Sequence, residues 1–212
     1  MPGKERILVI GGTGMLGRPV AEQLRAGGFT VRLLARSPEK ARRLLGEGYE
    51  IVPGDVGEAE SLRAAMHGVV GVHISLKGGP RAADYERMDH LATRQIAQAA
   101  REQGVGRVTL LSAYAVGAEK ADTPESRAKY KGESALKAGG VPYTIFRCSW
   151  FMESLPLFVQ RQRMSLIGSQ IHPLHWLAAE DYAGMVSRAY RSDETRNKEL
   201  YIYGPQALTM RA

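Results

Sequence analysis

Residues 5–41 read ERILVIGGTGMLGRPVAEQLRAGGFTVRLLARSPEKA, and their pattern decides the fold. An apolar run rich in β-branched residues, Arg6 to Ile10, gives way at once to Gly11, Gly14 and Gly17. An amphipathic segment and a second apolar run, Thr30 to Ala35, follow. Strand, glycine turn, helix and strand make a βαβ unit with parallel strands and a right-handed crossover. At that place the GxxGxxG spacing carries chemistry. The first glycine permits a tight turn, the second lets backbone approach a pyrophosphate, and the third allows helix to pack closely on strand, while the helix N–H groups face the phosphate charge. Thr13, Met15 and Leu16 line the same loop. The reading is dinucleotide binding; the competing one is a purely structural turn.

The alternation continues along the chain. Further short apolar runs predict strands over Glu50 to Pro53, Val69 to Ser75, Arg107 to Ser112 and Tyr143 to Arg147. Amphipathic patterns predict helices around 15–27, 38–46, 58–66, 84–103 and 125–139. Repeated strand-then-helix implies an α/β fold, a doubly wound parallel sheet covered on both faces, with ligands beyond the carboxyl ends of the strands. After Arg147 the pattern loosens into CSWFMESLPLFVQRQRMSLIGSQIHPLHWLAAEDYAGMV, followed by a helix from about Glu180 to Tyr190 and a last strand, ELYIYG. The expected organisation is a dinucleotide-binding domain over 1–150 and a small cap or substrate lobe over 151–212, forming one integrated unit. GPQALTMRA at 204–212 reads as a turn followed by Thr209 as the N-cap of a helix that does not arrive, as if part of this lobe were absent.

Composition narrows the partners. The net charge of +7 arises from 29 basic residues interleaved with 22 acidic ones, with no basic block, so the expected ligand is a small molecule and not nucleic acid. The single Cys148 can form no intramolecular disulfide, which fits a reducing, cytoplasmic setting. No apolar run approaches the roughly 20 residues of a membrane span. His172 and His175 in HPLHW invite a metal reading, but a proline separates them and no cysteine accompanies them, so no metal is expected.

The strand ends supply further candidates. After strand two, where an acid would hold the ribose hydroxyls of NAD(H), stand Arg36 and, a helical turn on, Lys40. An acid would repel a 2′-phosphate and an arginine can grip it bidentately, so NADP(H) is preferred over NAD(H). Asp55 and Val56 fall where an adenine edge would lie; the alternative for Asp55 is capping a turn. Ser75 and Leu76 end strand four beside the middle of the cofactor, and His73 within that strand reads as a packed core histidine.

VIGGTGMLG, LLARSPEKA, GDV, RVTLLSAYAVG and GESALKAGGVPYTIFRCSWFMESL together resemble the NmrA-like group of atypical short-chain dehydrogenases/reductases, over nearly the whole chain. The resemblance implies a Rossmann fold binding NADP(H), with a smaller C-terminal lobe over the nicotinamide. Such proteins are either reductases of quinones and other small electrophiles or non-catalytic reporters of the dinucleotide pool. Typical members of the wider group carry YxxxK, in which the lysine lowers the phenol pKa for proton transfer. Here Tyr130 is followed four residues on by Ser134, so the pair is missing. Lys129 and Lys131 both stand in the right helix on different faces, and the spacing to GVPYT favours Lys129 as the lysine that meets the cofactor. By the resemblance Ser112 takes the place of the substrate-side serine, with a strand-end cap as its alternative, and Tyr114 is a candidate proton donor from an unorthodox position, with packing under the cap lobe as its alternative. Arg147, Ser149, Trp150, Phe151 and Glu153 are expected to arch over the nicotinamide and bind substrate, against the competing reading of an apolar core beneath a short helix. Cys148 is not expected to be a nucleophile, and Asp181 is expected to cap its helix. The leading expectation is an NADP(H)-dependent reductase and the rival is a non-catalytic NADP(H)-sensing regulator; beyond a small-molecule substrate, the expected partner is a regulatory protein or a second copy of the chain.

Overall fold

The computed structural model describes residues 5–117, 122–160, 163–164 and 172–209. Seven strands form one parallel sheet: β1 (Arg6–Ile10), β2 (Thr30–Ala35), β3 (Glu50–Pro53), β4 (Gly71–Ile74), β5 (Arg107–Ala113), β6 (Tyr143–Cys148) and β10 (Lys198–Ile202). Their order, β10-β6-β5-β4-β1-β2-β3, reverses direction between β1 and β4. That switch point is where a doubly wound sheet leaves a crevice.

Alternation along β1 shows why both faces are covered. Ile7 and Val9 point to one side, where α1 (Gly17–Ala26) and α7 (Ala179–Ala189) bury Val20, Leu24, Tyr182 and Val186 against them. Leu8 and Ile10 point to the other, packed with Leu62 and Met66 of α3 (Ala59–Met66), Ile96 of α5 (Ala92–Glu102) and Leu136 of α6 (Pro124–Ala138). On the first side α2 (Pro38–Leu45) contributes the partly buried Leu45. The short α4 (Ala82–Tyr85) runs through a π-helical turn, Glu86–Leu91, into α5. Asp89, within this turn, is its buried residue.

Within 151–212, α7 and β10 are built into the layers of the sheet. The other described elements of this stretch are a 3₁₀ segment, Met152–Phe158, the pair β7 (Val159–Gln160) and β8 (Arg163–Met164), antiparallel to each other, and β9 (Leu174–His175), antiparallel to β11 (Ala207–Leu208). Pairing with β9, distant in sequence, holds Ala207 and Leu208 extended up to Thr209, and the residues that would follow a helix start there lie outside the described ones.

Candidate functional site

The glycine turn is shaped by contacts that admit no side chain. Gly11 has φ of +84°, and a Cβ there would lie 2.2 Å from the Ser75 carbonyl oxygen; one at Gly17 would lie 2.2 Å from the Gly11 oxygen. At Gly14 the nearest atom is 3.2 Å away, and Thr13, Gly14 and Met15 are exposed. The first and third glycines therefore close the turn against β4 and α1, and the second leaves open backbone. The N-cap of α1, Leu16, gives no side-chain hydrogen bond and the first turn holds no acid, which leaves the positive end of the helix for an anion. This cradle fits a dinucleotide pyrophosphate.

Arg36 is exposed just after β2 and Lys40 in the first turn of α2, and neither forms an ion pair among the described residues. Asp55 accepts the Gly57 N–H at 2.8 Å, so its side chain does cap a turn; Val56 packs at the edge of the core. The Ser75 N–H donates to the Ile10 carbonyl, fixing the loop after β4 beside the glycine turn.

A cavity of about 10 Å³ opens next to it, lined by Ile74, Leu76, Asp89, Thr93, Leu110, Leu111, Ser112 and Lys129. The structure thus brings Leu76, Ser112 and Lys129 together. Lys129 is nearly buried and its Nζ lies 2.6 Å from Asp89 Oδ1, whereas Lys131 is exposed on another face of α6 and pairs with Glu86. Ser112 donates to Glu133 Oε1 at 2.6 Å. Tyr114 is not part of this cavity. It is half exposed, with its ring edge-on to Tyr201 at 5.6 Å. Ser134 donates its hydroxyl to the Tyr130 carbonyl and offers nothing in place of a lysine.

The segment after β6 divides. Arg147 is drawn into the fold, its guanidinium on the Glu133 carboxylate at 2.6 Å and on Glu199 at 2.7 Å; the hydrogen bonds and charge of these carboxylates raise its pKa, against the opposing effect of burial. Phe151 is buried against Tyr182, with ring centroids 5.5 Å apart. Ser149 donates to the His175 carbonyl, and Glu153 Oε1 accepts the Ala179 N–H at the start of α7. Trp150 remains 51% exposed, leaning on Phe158 and Trp176. The apolar-core reading therefore describes Phe151, whereas Trp150 is left open to solvent. Asp181 lies exposed in the first turn of α7.

His73 is fully buried, with Nδ1 2.8 Å from Thr109 Oγ1, and burial lowers its pKa to about 3. Cys148 is buried and its thiol pKa is pushed up by desolvation, consistent with an inert thiol. His175 faces the Gly204 carbonyl and Tyr203, and His172 is exposed. Among the described residues no three His, Cys, Asp or Glu side chains gather as a metal site, and no helix is long and apolar enough to cross a membrane.

Sequence reasoning does not single out Asp89, Gly132 or Glu133. Glu133 has a signal: it lies one helical turn after Lys129 on the buried face of α6. Gly132 lets that face come close, since a Cβ there would fall 2.1 Å from the Asp89 carbonyl oxygen. Asp89 has no comparable signal, because the π turn that buries it is not written in the periodicity.

The chain resembles known proteins over nearly its full length. It is 31% identical over 208 residues to a (4-alkanoyl-5-oxo-2,5-dihydrofuran-3-yl)methyl phosphate reductase of Streptomyces griseus, covering 97% of this chain and 70% of that protein. It is 29% identical over 210 residues to an NAD(P)H azoreductase of Xenophilus azovorans, covering 96% of this chain and 69% of the other. The chain therefore spans about two thirds of the length of the curated relatives it matches. Among solved structures, the triphenylmethane reductase of Citrobacter sp. complexed with NADP(H) shares the fold with a TM-score of 0.79 at 21% identity, over 96% of this chain and 72% of that one. The NAD(P)H-binding family model matches residues 11–164, from the first glycine of the turn through the strands and helices that build the cavity. By that match and by its Rossmann-type sheet, the chain belongs to the NAD(P)H-binding family.

Proposed function

We propose that the chain is an NADP(H)-dependent reductase of the NmrA-like kind that reduces a quinone or a similar small electrophile. The observation that carries this reading is the convergence of Lys129 and Ser112 on one cavity beside the Gly11–Ser75 contact. The reductases among its relatives, and the neighbour complexed with NADP(H), support it.

A bound nicotinamide would supply hydride. The rest falls to this chain's own side chains. The glycine turn and the start of α1 would hold the pyrophosphate, Arg36 and Lys40 the 2′-phosphate, and Asp55 and Val56 the adenine edge. Ser75 and Leu76 would lie along the middle of the cofactor, with Lys129 orienting the ribose. Trp150 would shield the outer side with a flat apolar surface. No phenol stands four residues before Lys129, where the sequence has Glu125, so no tyrosine acid is positioned by that lysine. Product protonation then falls to water, which suits a quinone better than an aliphatic ketone.

NADPH consumption with a quinone panel and with aliphatic ketones tests the reading. Quinone-dependent turnover with little ketone turnover is expected. The missing tyrosine also favours the rival, a non-catalytic NADP(H)-sensing regulator; tight NADPH binding without consumption above background would establish that rival instead.

A further inference from the structure

Glu133 is a fully buried carboxylate in α6 for which the reductase reading has no use. Its Oε1 receives the Ser112 hydroxyl at 2.6 Å. Arg147 reaches both of its oxygens, with Nε 3.2 Å from each and Nη2 2.6 Å from Oε2. Arg147 is itself held from the far side: Nη2 lies 2.7 Å from Glu199 Oε2, Nη1 donates to the Tyr201 hydroxyl at 2.7 Å, and Glu199 is paired with Lys137. The geometry is over-determined, and it runs from the cavity to the edge strand β10.

Hydrogen-bond polarity follows from these partners. A guanidinium only donates, and a carboxylate paired with it only accepts. The Ser112 O–H is therefore directed at Glu133. Ser112 is buried and the cavity it lines has room for about one water, or for one small polar group reaching in from a larger ligand; what Oγ has left for that group is lone pairs. A bare quinone or ketone oxygen brought to Ser112 would face lone pair against lone pair, whereas an N–H or O–H would be received.

We propose that Glu133 is a positioning residue that fixes Ser112 as a hydrogen-bond acceptor, so that the site selects hydride acceptors carrying an N–H or O–H beside the reducible atoms. Amino- or hydroxy-substituted quinones and N–H-bearing azo or hydrazone tautomers belong to this class. The inference rests on the reductase reading, and it names the substrate class of the same site.

The test uses a matched pair, 2-amino-1,4-naphthoquinone and 2-methoxy-1,4-naphthoquinone. Binding to the full chain with NADP⁺ present is read by quenching of Trp150 and Trp176, and turnover with NADPH is measured separately. Wild type is expected to bind the amino compound about tenfold more tightly, the worth of one hydrogen bond and one avoided repulsion. In Glu133→Gln the donor-only Arg147 draws the amide oxygen to itself, which turns the amide N–H₂ toward Ser112. Ser112 must then accept, its O–H swings into the cavity, and the preference reverses. A merely structural role for Glu133 would weaken both ligands alike and leave their ratio unchanged. Ser112→Ala keeps the Glu133–Arg147 pair intact, and it is expected to bring the ratio near one even if Glu133→Gln fails to fold.

A wild-type ratio near one, or a preference that survives Ser112→Ala, overturns the proposal. The expected ratios with no turnover of either quinone would leave the acceptor assignment standing and remove the reductase reading. Turnover of both with one ratio in every variant would do the opposite.

Discussion

Lys129 Nζ lies 2.6 Å from Asp89 Oδ1, and the other oxygen of that carboxylate receives the Gly78 N–H at 2.9 Å. One buried side chain thereby ties α6 to the loop that follows β4. Lys129→Met leaves Asp89 without its counter-charge, and stability is expected to fall by about 3 kcal/mol. Adding Asp89→Asn should recover part of that loss. Urea unfolding of the two singles and the double checks this, and a double variant no more stable than Lys129→Met alone would show the pair to be uncoupled.

Gly132→Ala is expected to destabilise by about 1–3 kcal/mol, because its Cβ would meet backbone, which yields less readily than a flexible side chain. A Cβ added at Gly184, within α7, would meet nothing within 4 Å, so Gly184→Ala should stabilise by about 0.5–1 kcal/mol. Thermal unfolding of the pair gives opposite signs if α6 and the π turn are in the close contact described.

Arg36→Glu places a negative charge where the 2′-phosphate would lie. NADPH affinity is expected to drop by at least about tenfold while NADH affinity changes little or rises, since the effect is electrostatic and local. Titration of both dinucleotides at one fixed salt concentration reads the ratio. An unchanged ratio would remove Arg36 from the cofactor reading.

His73 makes stability depend on pH in a defined direction. Its native pKa is lowered to about 3 by burial, against an ordinary value near 6.5. Below about 6.5 the unfolded chain takes up a proton that the native ring refuses, so this contribution is complete above that pH. As pH falls toward 3 it is lost at about 1.4 kcal/mol per unit. Between pH 7 and pH 5 wild type should therefore lose about 2 kcal/mol more than His73→Gln, measured by urea unfolding at both pH values.

The nearest-neighbour physics of the chain was the legible part. Strands β1, β2 and β3 occupy the spans their apolar runs predict, and the helices α1, α2, α3 and α6 differ from theirs by a residue or two at the ends. The glycine turn and the strand-end position of Ser112 followed from spacing; the preference for Lys129 over Lys131 came from the family resemblance, and of the two it is Lys129 that is nearly buried. What spacing could not supply was pairing across the fold. Arg147 ends in a run that reads as the start of a substrate wall, yet it turns back to Glu133, because only the assembled β6, α6 and β10 show where its counter-charges lie. Asp89 became visible only through a helical irregularity. Trp150 and Phe151 are adjacent, and extended backbone sends one to solvent and the other into the core.

The packing of α1 against α7 also sets the order in which the molecule can mature. The chain is synthesised from its amino end, so Val20, Ala21 and Leu24 emerge long before Tyr182, Ala183 and Val186, the residues that cover them. At about 5–20 residues per second the interval is on the order of ten seconds. During translation the helix that follows the glycine turn is therefore an uncovered, sticky surface, and the cradle that names the family is among the last parts of the molecule to be shielded from chaperones and from other nascent chains.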